Sequence, residues 1–264
     1  MSRAPAPERV EVTLLGVGSS GGTPALGCDC PTCTSHDPRN TRTRTSAVFS
    51  VGGRHLLIDT GPDLRQQALR EQIMRLDAVL YTHPHADHIH GIDDLRAWCW
   101  LQKGALPVYG NQLTLEHIKS RFTYTLLSPN EYWDKPVLTL HEVERESFVA
   151  GGVRVQPVPL LHGKWPILGF RVGNVAFLTD VSAVPEESFA LLERLDVLIL
   201  DCLREREHPT HLSVAQSLAL ARRIGARRTV LIHMTHELEY HALGARLPPG
   251  VEVGYDGMRL HGGF

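Results

Sequence analysis

The chain has 264 residues, 42% hydrophobic and 21% charged, the make-up of a globular domain that buries about three-quarters of its unfolded surface. A formal net charge of −2 argues against a generic nucleic-acid coat, and stable nucleic-acid binding is not expected. No apolar run approaches the ~20 residues that cross a bilayer, and the N-terminal segment lacks a signal-peptide apolar core, so a cytoplasmic protein without membrane contact is expected.

In chain order, residues 10–17 read as a first strand, β-branched and partly alternating. The glycine-rich stretch Gly16 to Pro24 follows, but it lacks the Lys-Ser/Thr of a phosphate-cradling loop and no helical pattern opens behind it. Residues 46–51 and 54–59 form a hairpin around Gly52-Gly53. The periodicity predicts a helix over 63–75, with Leu64, Ala68, Leu69 and Ile73 on one face. A short buried strand over 77–81 leads into a loop at 83–90, then a strand at 107–109 and a helix at 113–122.

The second half offers strands at 153–158, 167–172, 175–179, 197–201 and 229–233, with helices at 185–195 and 213–224. Residues 251–260 read as one more strand. Two comparable strand-rich halves with helices between them, and no low-complexity linker, predict a single α/β (α+β) domain over 1–264. Its two sheets pack face to face under outer helices.

The chemistry concentrates in Thr82-His83-Pro84-His85-Ala86-Asp87-His88. His83 and His85 alternate in extended backbone and can face one way, while Asp87 and His88 sit a turn later and can serve a second ion. Imidazole with carboxylate suits Zn, Mn or Fe. A second ion needs more donors, and His162, Asp180 and His233 each follow an apolar strand directly, where loops collect on one rim. Histidine is unusually frequent, at 15 residues. Three of the five cysteines, in Cys28-Asp29-Cys30-Pro31-Thr32-Cys33, give C-x-C-x2-C, three thiolates able to take a tetrahedral zinc with one further ligand. Cys99 and Cys202 fall outside that pattern and read as core residues.

The HxHxDH string followed by His162, Asp180 and His233 resembles the metallo-β-lactamase superfamily ligand set, from about residue 55 to the end of the chain. The resemblance implies a four-layer αββα sandwich with a dinuclear site at one edge. His83, His85 and His162 would hold one divalent ion, Asp87, His88 and His233 the other, with Asp180 bridging; the native metal, Mn or Zn, is left open. Asp59 would orient a ligand from behind. Two such cations acidify water and offset charge on a phosphoryl or carbonyl oxygen, so hydrolysis is the implied reaction class.

The glycine-rich start and cysteine cluster resemble, more narrowly, the phosphoribosyl cyclic-phosphate phosphodiesterases of phosphonate breakdown. That resemblance implies a structural zinc on Cys28, Cys30, Cys33 and His236, a small phosphorylated substrate, 5-phosphoribosyl 1,2-cyclic phosphate, and a homodimer. It makes His211 the candidate general acid, with Asp87 the other candidate catalytic residue and Asp201 a support. His208 reads as a solvent-exposed neighbour, and Arg96 as a surface ion pair unless it meets an anionic group. Phe122, Tyr124, Tyr132 and Trp133, within 120–135, depart from that family and read as packing sooner than as a base-stacking wall. Rival readings are a 2′,3′-cyclic nucleotide phosphodiesterase, a tRNA 3′-processing nuclease, whose flexible arm has no Lys-rich counterpart here, and a pyrroloquinoline-quinone biosynthesis B-like carrier, a family that typically lacks the full HxHxDH string. β-Lactams and thioesters leave the cysteine cluster unexplained.

Overall fold

A computed structural model of the chain describes residues 9–127 and 137–264. The first sheet contains β1 (Arg9–Gly16), β2 (Ser46–Val51), β3 (Arg54–Ile58), β4 (Ala78–Leu80), β5 (Leu106–Gly110) and β6 (Leu138–Glu142). The second contains β7 (Phe148–Ala150), β8 (Val153–His162), β9 (Trp165–Val172), β10 (Val175–Leu178), β11 (Val197–Asp201), β12 (Arg228–Ile232) and β13 (Val251–Val253). The last strand, β14 (Arg259–Gly263), returns to the first sheet, giving the orders β14-β1-β2-β3-β4-β5-β6 and β13-β12-β11-β10-β9-β8-β7.

Helices α1 (Leu64–Arg70), α2 (Ala86–Ile89), α3 (Leu95–Gln102), α4 (Gln112–Arg121), α5 (Val214–Ile224) and α6 (Tyr240–Gly244) complete the regular structure, with short 3-10 turns. Apolar residues from the inner faces of both sheets, among them Phe49, Phe170 and Phe177, form one buried core. Separate clusters join the first sheet to α1, α3 and α4, and the second sheet to α5 and the 3-10 helix Glu186–Leu192. Four layers result because each sheet is apolar on both faces and must be covered twice. The fold is the expected αββα sandwich.

The direction of the strands places the site. β3, β4, β5 and β6 run parallel in one sheet, and β10, β11, β12 and β13 run parallel in the other. Their carboxyl ends therefore present loops along one edge of each sheet, where mixed α/β sheets gather their ligands. Residues 59, 81–88, 180, 201 and 233 all lie at such ends.

Several elements differ from the sequence expectation. Residues 251–260 are two strands in different sheets, because the turn between them is tied down by half-buried Asp256. Its carboxylate accepts from Val17 N at 3.0 Å, Thr43 N at 2.9 Å and Thr43 Oγ1 at 2.6 Å. α1 stops at Arg70, and Gln72 turns to a left-handed φ of 54°. On that helix Leu69 is exposed, while Gln67 takes a buried place by donating to Thr43 Oγ1 and Arg44 O. Residues 186–192 form a 3-10 helix where an α-helix was expected, and β6, β7, α3 and α6 had no sequence signal strong enough to assign. The glycine-rich loop makes a close backbone crossing: a Cβ on Gly18 would lie 2.7 Å from Arg42 O.

Candidate metal centre

Three of the site's residues sit in backbone that side chains ordinarily avoid. Asp59 and His233 follow β3 and β12 directly, and Asp180 comes two residues after the end of β10, with φ of 58°, 59° and 57°. Left-handed backbone at a non-glycine residue costs of order 1–3 kcal/mol and persists where surroundings over-determine it. Here it turns each side chain off the end of its strand and into a common space.

Asp59 organises the first half of that space. Its buried carboxylate accepts from Thr82 N (2.8 Å), Thr82 Oγ1 (2.8 Å) and His88 Nδ1 (2.8 Å). Because the Thr82 hydroxyl spends its proton on Asp59, it accepts from His83 Nδ1 at 3.0 Å. His83 and His88 are thereby fixed as Nδ1–H tautomers with Nε2 turned inward. His162 is fixed in the same sense, donating from Nδ1 to the Asp180 carbonyl at 2.8 Å. The extended His83–His85 segment becomes the single helical turn α2, which carries Asp87 and His88. Gly61 lets this turn approach, since a Cβ there would lie 2.3 Å from the Asp87 carbonyl oxygen.

The inward nitrogens and carboxylates form two adjoining groups, overlapped by a third made of Asp180, His211 and His233. One is His83, His85, His162 and Asp180, the other Asp87, His88 and His233, and within each the donor atoms lie within 4.8 Å of one another. Their arrangement suits cations better than hydrogen bonds. His83 Nε2 and His85 Nδ1 face each other at 3.0 Å, although the Nδ1 bond of His83 leaves that Nε2 without a proton. His88 Nε2 is 3.2 Å from both Asp87 and Asp180, yet it is buried without a hydrogen-bond partner, as are both ring nitrogens of His233. Orphaned buried nitrogens beside carboxylates, in a set of imidazoles and carboxylates, fit divalent metal ions.

The electrostatics agree with that fit. Burial and the charge on His88 hold His83 well below the ordinary imidazole range. Burial opposes a charge on His88 too, but Asp180, Asp87 and Asp59 outweigh it and lift that imidazole well above its ordinary value. His233 is likewise held up to about 9, Asp180 overcoming its burial. Burial would raise Asp180 and Asp87, but the adjacent imidazoles keep both below the usual carboxylate range. Raised imidazoles beside lowered carboxylates mark a place where positive charge is favoured, as divalent ions would supply it.

Asp201 organises the other half. It accepts from Asp180 N (3.0 Å) and Leu212 N (3.0 Å), and Oδ1 lies 3.3 Å from His211 Nδ1 and 3.5 Å from His233 Nδ1. His211 stacks on His233 with ring centroids 4.8 Å apart and stands 4.7 Å from the His162 ring. His208, expected as an unremarkable exposed neighbour, is half-buried with its ring 5.2 Å from that of His211. Arg96 forms a short ion pair with Asp93.

Cys28, Cys30, Cys33 and His236 also converge, with their ligand atoms within 4.8 Å of one another. His236 Nδ1 lies 3.3 Å from both Cys28 Sγ and Cys30 Sγ, and the hydrogen bond from His236 pulls the Cys30 thiol down to about 6. Buried Arg42, invisible as a site residue in the sequence, holds the segment carrying His236 by donating to Thr235 O (3.0 Å) and Leu238 O (2.6 Å). Cys99 and Cys202 are buried elsewhere. Of the aromatic segment, Tyr124 donates to Asp93 at 2.9 Å and Phe122 meets His90 edge to face, whereas Tyr132 and Trp133 lie outside the described residues. Among the described residues, no helix is long and apolar enough to cross a membrane.

The model of the beta-lactamase superfamily domain matches residues 54–234, and the chain belongs to the metallo-β-lactamase superfamily. A solved structure described as a new diphosphatase from the PhnP family superposes with a TM-score of 0.90 at 38% identity, covering 96% of this chain and 97% of that one. A Porphyromonas gingivalis protein named octanoyltransferase is 41% identical over 249 residues, 93% of this chain, which spans only 50% of that relative's length. A ribonuclease Z from Mycobacterium bovis is 25% identical over 95% of this chain and 98% of its own.

If Asp59 fixes the His83 and His88 tautomers, Asp59→Asn should lower metal affinity in the His/Asp cluster roughly 10–100-fold in a competitive chelator titration. An unchanged affinity would contradict that role. At the cysteine cluster, Cys33→Ser should remove one metal equivalent per chain. It should also lower the melting temperature by roughly 5–10 °C, a loss of about 2–3 kcal/mol in a chain of this size. Retention of that equivalent by elemental analysis would rule the cluster out as a metal site.

Proposed function

We propose that the protein is a metal-dependent phosphodiesterase that opens a small cyclic phosphodiester carried on ribose, such as 5-phosphoribosyl 1,2-cyclic phosphate or a 2′,3′-cyclic nucleotide. The observation that carries this reading is the convergence of seven imidazole and carboxylate donors beside His211, an imidazole that Asp201 holds by its Nδ1. The PhnP-family diphosphatase supports hydrolysis at phosphorus, and the ribonuclease Z relative a phosphodiester.

In this reading His83, His85 and His162 would hold one divalent ion, Mn or Zn, Asp87, His88 and His233 would hold another, and Asp180 would serve as a further ligand. Bound there, the ions supply Lewis acidity that acidifies water and offsets the charge gathering on phosphoryl oxygens. The protein's own part is orientation and proton movement. Asp59 and Thr82 keep lone pairs of His83 and His88 pointed inward. Asp201 fixes His211 with Nδ1–H toward the carboxylate, so that Nε2 carries the proton delivered to the leaving alkoxide. Cys28, Cys30, Cys33 and His236 take a structural zinc that fastens the N-terminal loop beside the turn following His233. A place in phosphonate breakdown, a cytoplasmic address and a homodimer remain part of the same proposal.

The test is a phosphorus NMR time course with Mn-supplied protein on both cyclic compounds. Opening of either ring is the expected result, and no cleavage with all sites filled would overturn the reading. His211→Ala should lower kcat about 100-fold or more with metal content intact, and loss of metal in that variant would instead make His211 a ligand.

A further inference from the structure

Next to the metal-ligand cluster the protein opens a cleft of about 690 Å3 whose lining includes His85, His90, Arg121, Phe122 and Trp165. Trp165 begins β9, three residues after His162, and keeps 39% of its surface exposed. Its ring lies 5.2 Å from that of His85 and 6.4 Å from that of His117, both tilted. Phe122, at the end of α4, adds a second aromatic wall against His90. Arg121 donates to the Pro84 carbonyl at 3.1 Å, and among the described residues no carboxylate lies within ion-pair distance of its guanidinium. None of the residues lining the cleft is acidic.

An indole left in water beside a metal-ligand histidine, with an aromatic wall and an arginine that meets no carboxylate among the described residues, is chemistry for a flat ring joined to an anion. We propose that this cleft receives the base of a nucleoside phosphodiester, the base stacking on Trp165 and Arg121 meeting phosphate or the base edge. This rests on the phosphodiesterase reading of the adjoining cluster and narrows its substrate to the base-bearing member of the class. With the indole and the His85 ring centred 5.2 Å apart, a base on Trp165 and a phosphate at the cluster would be one sugar apart in this reading. The ring-binding residue then comes from the first position of β9, outside both the HxHxDH string and the 120–135 aromatic segment.

The experiment uses metal-loaded protein labelled with 15N at tryptophan, the Trp165 indole signal being assigned by its loss in Trp165→Leu. Adenosine 3′-monophosphate should shift that signal, whereas ribose 5-phosphate at equal concentration should not. Trp165→Leu should also lower the ratio of kcat/KM for 2′,3′-cyclic AMP over that for 5-phosphoribosyl 1,2-cyclic phosphate about tenfold, the scale of one base on one aromatic ring. Taking the ratio cancels a general disturbance of His85, and Arg121→Ala, which also frees the Pro84 carbonyl, should weaken the adenylate several-fold with metal content unchanged by elemental analysis. Cyclic phosphates cleaved with no indole shift and an unchanged ratio would overturn the base-binding cleft and leave the phosphodiesterase standing. An indole shift by adenylate with no phosphodiester cleaved would support the cleft and overturn the phosphodiesterase.

Discussion

Two buried carboxylates, one at the end of a strand in each sheet, determine what the site can hold. Asp59 follows β3 and Asp201 closes β11, and neither is exposed to solvent. Each spends part of its hydrogen-bonding capacity on backbone N–H groups of the opposing loop, Thr82 for Asp59, Asp180 and Leu212 for Asp201. What remains is aimed at imidazoles. A buried carboxylate without such partners would be costly, so the loops and the rings are held together by the same need. The inward direction of His83 and His88, and the hold on His211 Nδ1, follow from it.

The fold delivers these groups because parallel strands in both sheets end along a common edge. Left-handed backbone at Asp59, Asp180 and His233 turns each chain sharply at that edge. The strain is tolerable in a sandwich whose core is closed on both faces of both sheets, and it is placed where a precise donor direction matters. The cysteine cluster extends the same logic to the N-terminus. Ser19 N donates to Met234 O and Met234 N to Val17 O, which lays the glycine-rich loop along the turn that carries His233 and His236. The two candidate metal sites therefore share one backbone turn.

Much of this was legible in the sequence. The HxHxDH string, and single polar residues closing apolar strands at 162, 180 and 233, marked the cluster because ligand-bearing loops follow strand ends. The C-x-C-x2-C spacing marked three members of the second cluster. What did not show has a common physical cause: it depends on contacts distant in sequence or on a change of sheet. Arg42 acts through carbonyls at 235 and 238, nearly 200 positions away, and residues 251–260 alternate smoothly although Asp256 breaks them into strands of different sheets. Trp165 carried no motif at all, and its position became meaningful only beside His85 and Arg121. Leu69 failed through periodicity alone, since Gln67 found buried partners that a polar/apolar pattern does not anticipate.

The most direct test of the central claim is anomalous diffraction from crystals of metal-loaded protein, collected at the zinc and manganese edges. The account predicts two peaks bridged by Asp180, one contacted by His83, His85 and His162, the other by Asp87, His88 and His233. A third, at the zinc edge, should lie among Cys28, Cys30, Cys33 and His236. A single peak in the His/Asp cluster, or peaks whose ligands exclude His88 and His233, would contradict it.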